Sequence, residues 1–226
     1  MMAAIRQFFW NVVAHLLARP VVADWLIRRA QRTPYSPIIK NGQLYMERFW
    51  LFNPYPDTGE SGADRRGGFP ISVRIHHIVL PDQDRHLHDH PWNARTIILR
   101  GYYDELRLEQ VGGTLWDLDF DDEEEVRYRR AAGATAPLNY GQYHCISELS
   151  AGGAWTLFIC GRYRGGWGFM VDGVKVPWRT YLGLPEKVVS AEDIAAASDR
   201  NFQRAVWMEL LAIYGLFVAL AAWNWW

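Results

Sequence analysis

Cysteine is nearly absent from this 226-residue chain, Cys145 and Cys160 being the only two, each inside an apolar, strand-like run. That excludes a disulfide scaffold and a Cys-rich zinc module, and a reducing, cytoplasmic compartment fits best. A basic surplus is also missing, since 24 Lys and Arg stand against 25 Asp and Glu for a net charge of -1. Phosphate contacts require clustered positive charge, so nucleic acid is not an expected partner. Nor is a cleavable leader expected. Arg6, Arg19, Arg28 and Arg29 interrupt residues 3–31 too densely for a bilayer span, and no small-residue cleavage site follows a clean apolar core.

What is present is enough apolar material for one sizeable core, half of the residues being hydrophobic. Residues 3–31 read as two short helices. Phe8, Phe9, Val12, Val13, Leu16 and Leu17 form an apolar stripe, and Pro20 breaks the run before 21–30 resumes it. Such a pair either packs on the domain or lies at a membrane surface. Residues 33–64 are rich in Pro, Tyr and Gly, and 57–68 read as a polar loop.

The middle of the chain then changes period. The segments 71–80, 95–100, 102–108, 114–120, 125–130, 143–149, 155–160, 168–171 and 174–178 are short, aromatic and β-branched, and Gly, Pro, Asn and Asp separate them. With no helical stretch between them, they predict an all-β sandwich or barrel. The acidic run 117–125 reads as a solvated hairpin tip paired with Arg127, Arg129 and Arg130, with calcium ligation as the weaker alternative.

Residues 205–226 hold one ionisable side chain, Glu209, with Trp207 at one end and Trp223, Trp225 and Trp226 at the other. The segment is about as long as a bilayer core is thick. Two readings stay open. One is a membrane anchor that leaves the β domain on the cytoplasmic face, with Arg200 and Arg204 on that side. The other is a helix packed on the N-terminal pair or on a partner chain, which admits a homodimer. The expected organisation is an N-terminal helical extension and linker over 1–45, a β-barrel over 46–185 and a C-terminal helical region over 186–226.

The chemistry concentrates in His86-Leu-His88-Asp-His90, followed by Pro91-Trp92, with His144 far downstream. On an extended strand the three histidines share a face and Asp89 points away from it. Converging neutral imidazoles are a metal-site pattern for iron, zinc, manganese, nickel or copper. His76 and His77 point to opposite faces of one strand, so at most one of them enters a pocket, and both read as core or surface histidines.

The spacing carries a resemblance. His88-Asp-His90, then Ala94, then Gly101 resembles the first motif of the cupin superfamily, except that Ala94 stands where that motif has Glu. Gly133, Asn139, Gly141, His144 and Glu148 resemble the second motif, with Asn139 in place of its Pro and Glu148 in place of its Asn. The strings HDHPWNARTIILRGYYDE, YHCISEL and WTLFICGRYRGGWGF are similar to uncharacterised cupin-like proteins of phage and bacterial genomes, over about residues 46–182. The resemblance implies a double-stranded β-helix, the cupin jelly roll, with His88, His90 and His144 as metal ligands. Glu105 and His86 are further candidates, either as added ligands or as groups behind the ligands. Arg74, Arg162 and Arg164 are candidates either for binding a small anionic molecule or for salt bridges to the acidic run 117–125, and Trp92 either packs beside the site or stacks on a substrate.

The expectation is a metal-dependent enzyme, either a dioxygenase or a Lewis-acid isomerase or hydrolase. The alternative is a non-catalytic ligand-binding or structural module tethered to a membrane or a partner. A 2-oxoglutarate oxygenase fits less well, because His90 occupies the carboxylate position of that facial triad.

Overall fold

The structure, a computed structural model, describes residues 2–54, 71–82, 86–110 and 123–184. The polar stretch 57–68, the strand expected at 114–120, residues 117–122 of the acidic run, and 186–226 with the apolar segment 205–226 lie outside them. Two helices, α1 (Met2–Leu17) and α2 (Pro20–Ala30), precede eleven strands: β1 (Pro34–Lys40), β2 (Gln43–Phe52), β3 (Ser72–Ile78), β4 (Trp92–Arg100), β5 (Tyr102–Gln110), β6 (Glu123–Ala131), β7 (Thr135–Leu138), β8 (His144–Leu149), β9 (Ala154–Tyr163), β10 (Gly168–Val171) and β11 (Val174–Pro177). A short helix, α3 (Trp178–Tyr181), closes the described chain.

Among the described residues all strand pairs are antiparallel, and the chain alternates between two sheets as a jelly roll does. The first sheet has the order β1-β2-β3-β9-β4-β7. The second joins β6-β5-β8 to the β10-β11 hairpin through His88, whose backbone bridges both His144 and Phe169. The histidine segment is therefore the middle rung of the second sheet. Gly101 turns the chain from β4 in the first sheet to β5 in the second with φ of 72°. A Cβ there would collide with the Gly153 carbonyl oxygen.

Alternating burial disappears where both faces of a sheet are covered. Ile97, Ile98 and Leu99 are consecutive and all buried. Ile97 and Leu99 face outward into a core shared with Trp10 and Ala14 of α1 and Ala23, Leu26, Ile27 and Ala30 of α2, together with Val73, Ile75 and Leu157. Ile98 faces inward with Tyr45, Ile78, Tyr103, Ile146 and Ala154, which join the two sheets. The helix pair packs on the domain as one of the two sequence readings expects.

Three local features differ from the sequence expectation. Residues 33–54, rich in Pro, Tyr and Gly and with no strand expected in them, contain the β1-β2 hairpin. Its turn is Asn41-Gly42, with φ of 50° and 75°, the left-handed pair favoured in two-residue hairpins. Pro34 and Pro37 are tolerated because β1 is an edge strand. The four-residue strand β7, with Pro137 inside it, also went unread. Lastly, the strand expected to reach Trp178 stops at Pro177, and Trp178 opens α3. Cys145 and Cys160 lie in different sheets, and no disulfide joins them.

Candidate metal centre

The site is built on a cross-strand pair. The His88 and His144 backbones exchange two N–H···O bonds, each 2.9 Å. Residues paired in this way project from the same sheet face, so their imidazoles are neighbours. His90, two residues beyond His88, shares that face. Asp89 projects to the other side, where its buried carboxylate accepts the Gly168 N–H at 2.8 Å and pairs with Lys175 at 2.6 Å. Backbone bonds from Asp89 N to Gly168 O and from Met170 N to Leu87 O fasten the same segment to β10. The rung is thus clamped on both flanks, which fixes where His88 and His90 point.

The three ring centroids form a nearly equilateral triangle of 5.2, 5.0 and 5.1 Å. One nitrogen from each ring lies within 4.8 Å of the other two, which makes a group able to hold a metal ion. The Nε2 atoms of His90 and His144 are 3.0 Å apart. That is about the separation of two nitrogens bound at right angles, each about 2.1 Å from a common ion. Burial first, then His144 and His88, then His76 and Arg74, hold the His90 imidazole well below its ordinary range. It is therefore neutral near pH 7, the form in which imidazole ligates.

Behind His144 stands Glu105, on β5. Its Oε1 accepts a hydrogen bond from His144 Nδ1 at 2.9 Å, and its Oε2 lies 3.0 Å from both Arg107 Nε and Arg130 Nε. Burial alone would raise this carboxyl, but the bond to His144, with the charges of His144 and Arg107, holds it well below its usual range. An ionised Glu105 keeps the His144 proton on Nδ1 and turns the Nε2 lone pair to the centre. Both carboxylate oxygens are engaged away from the triangle, and the metal-holding group contains histidines only. Ala94, where the motif would have Glu, packs with Trp92, Leu138, Phe158 and Cys160.

Aromatic rings line the centre. Trp92 stacks on His90 at 5.9 Å, and Trp167, Phe169 and Phe158 lie 5.8 to 6.5 Å from the histidine rings. Trp178 stacks on Trp167, and Tyr181 on Phe169, so α3 supports this wall from outside. His86 is held apart from the triangle: its Nδ1 bonds Tyr181 Oη at 2.9 Å. Arg74 is buried on β3, its guanidinium over the rings of Trp50 and Trp92 and bonded to Tyr35 Oη at 3.2 Å. Arg162, near the end of β9, and Arg164, on the β9-β10 connection, are both exposed.

One residue of this region, His76, reads from the sequence only as a core or surface histidine. His76 shares a face of β3 with Arg74, is buried, and stacks on Phe158 at 5.1 Å. Its Nε2 has no hydrogen-bond partner among the described residues, and neither does Trp92 Nε1. The signal was the i, i+2 spacing of Arg74 and His76, which puts both on one strand face. His77, on the opposite face, bonds Glu47 and the Gly152 carbonyl oxygen.

No family model matches the chain, and no curated protein matches it in sequence. Among solved structures it is similar to the Fe(II) form of HppE, at 10% identity and a TM-score of 0.37, over 56% of this chain and 54% of that one. It is also similar to a cupin-2 domain from Rhodospirillum rubrum, at 11% identity and a TM-score of 0.40, over 71% of this chain and 78% of that one. A third is an oxalate decarboxylase formate complex from Lactobacillus farciminis, at 12% identity and a TM-score of 0.39, over 76% of this chain and 40% of that one. The chain spans about half the length of the first of these structures.

Proposed function

We propose that the protein is a metal-dependent enzyme of the cupin type, in which His88, His90 and His144 hold one divalent ion and a small anionic molecule is the substrate. The observation that carries this reading is the convergence of three imidazole nitrogens within 4.8 Å on a rung clamped from both sides. The donor set fits such an ion, being three nitrogens with His90 kept neutral by its surroundings. When bound, the ion supplies Lewis acidity, or a coordination position for dioxygen. The rest is the work of this chain's residues. Glu105 holds the proton of His144 on Nδ1. Trp92, Phe158, Trp167 and Phe169 limit water around the centre. His76 Nε2 and Trp92 Nε1 are buried nitrogens with partners still to gain, and Arg74 supplies a buried positive charge beside them. A carboxylate or phosphate-like group suits that arrangement.

The test is metal analysis of the purified protein together with a His88→Ala, His144→Ala double variant. The reading expects about one divalent ion per chain in the native protein and none in the variant. Native protein without stoichiometric metal, or a variant that retains it, would remove the catalytic reading. A non-catalytic sensor is separated from an enzyme by what becomes of a bound carboxylate: recovery of the ligand unchanged after long incubation with the metal-loaded protein indicates a sensor.

A further inference from the structure

The helix pair has a second apolar face, which is exposed among the described residues. α1 buries Trp10 and Ala14 against the first sheet. Ile5, Phe8, Val12 and Leu16, spaced i, i+3, i+7 and i+11, share another side of the same helix and are exposed, Phe8 at 70%. Val21, 81% exposed, and Trp25 extend this strip on α2. A helix that is apolar on two sides is normally covered on both. Charge is segregated here as well. Residues 2–32 hold five arginines and one acid, Asp24, in a chain whose net charge is -1. Asp24 is committed to Arg100 and Arg28, and Arg6, Arg19, Arg28 and Arg32 are exposed.

From these observations we infer that the α1-α2 face docks on the surface of an anionic lipid bilayer, with Ile5, Phe8, Val12, Leu16, Val21 and Trp25 in the interfacial layer and the arginines at the headgroups. An exposed apolar strip bearing large side chains and edged by arginine is the pattern of helices that lie in the plane of a membrane. Anionic headgroups supply the charge this surface lacks. The metal centre lies between the sheets and the helix pair on the outer face of the first sheet, so docking leaves the β domain facing water. This proposal does not depend on the metal reading.

Co-sedimentation of the full chain with vesicles tests it, comparing phosphatidylcholine alone with phosphatidylcholine containing phosphatidylglycerol. The full chain is expected to pellet with the anionic vesicles and much less with neutral ones. Each of Arg6→Gln and Arg28→Gln should weaken partitioning about fivefold. Phe8→Glu with Val12→Glu should weaken it roughly a hundredfold, with Tm unchanged because both side chains are exposed. Absence of vesicle binding by the full chain overturns the proposal. Unchanged binding in the Phe8→Glu, Val12→Glu variant also overturns it and assigns membrane contact to 205–226. A marked fall in the Tm of that variant overturns it too, since the face would then be covered within the chain.

Discussion

At the scale of single residues, the centre depends on groups that do not ligate. Glu105 acts on His144 through one hydrogen bond, so Glu105→Gln keeps the volume but loses the charge that fixes the tautomer. The expected result is metal affinity lowered about 10- to 100-fold with the fold intact, read by competition with a chelator and by circular dichroism. His76 gives a pH dependence. Burial, then Arg74 and Arg48, push its pKa well below the ordinary histidine value, so the unfolded chain takes up the proton more readily than the native one. The stability that follows is complete above about pH 6.5 and is lost as pH falls below it, by up to about 1.4 kcal/mol per pH unit for this one group. Denaturation of His76→Phe at pH 7.5 and 5.5 should show a smaller acid loss than the native protein, and an equal loss would refute this account of His76. The convergence of His88, His90 and His144 was legible from alternation and motif spacing. Glu105 was legible as a candidate for a place in the shell or behind it; which of the two it takes, and the place of His76, were not, because cross-strand register decides what stands behind His144, and no local pattern reveals it.

Among the elements, the rung at 87–89 organises the site. It is too short to read as a strand, and its order comes from two neighbours and from Asp89. Asp89→Ala removes the acceptor of the Gly168 N–H and the partner of Lys175, leaving a buried donor unmatched at about 1–3 kcal/mol. The expected outcome is a lower Tm together with reduced metal content, although Asp89 does not face the triangle, and Asp89→Asn should recover part of both. Unchanged metal content in a destabilised Asp89→Ala protein would show that the clamp does not position the histidines. The hairpin at 34–52 carried a readable signal in Asn41-Gly42, but the density of Pro and Tyr around it masked the alternation. β7 was unreadable for a different reason: four residues with a proline give no periodicity, and its place beside β4 is set by tertiary pairing.

For the whole molecule, a jelly roll predicts one solvated outer face per sheet, but here α1 and α2 cover the first sheet and convert β3, β4 and β9 into strands buried on both sides. Trp10 is the largest buried side chain in that contact and also lies under the Arg95 guanidinium, 4.7 Å from its ring. Arg95 sits in a demanding place: burial, then the charge of Arg6, lowers its pKa to about 10. Trp10→Ala should cost about 3–5 kcal/mol in equilibrium denaturation, and a loss below about 1 kcal/mol would mean that the helices are not integral to the core. The all-β class and the two N-terminal helices were legible because periodicity changes sharply between residues 31 and 71, while where the helices pack was left open between the domain and a membrane surface. The covering of one sheet was not, because it shows only as an absence of alternation. What joins these scales is the claim that the jelly roll aims three imidazoles at one ion. X-ray absorption at the edge of the metal the purified protein carries tests it most directly: the account predicts three imidazole nitrogens at about 2.0–2.2 Å, falling to two in His144→Ala, and a first shell of oxygens without imidazole scattering would contradict it.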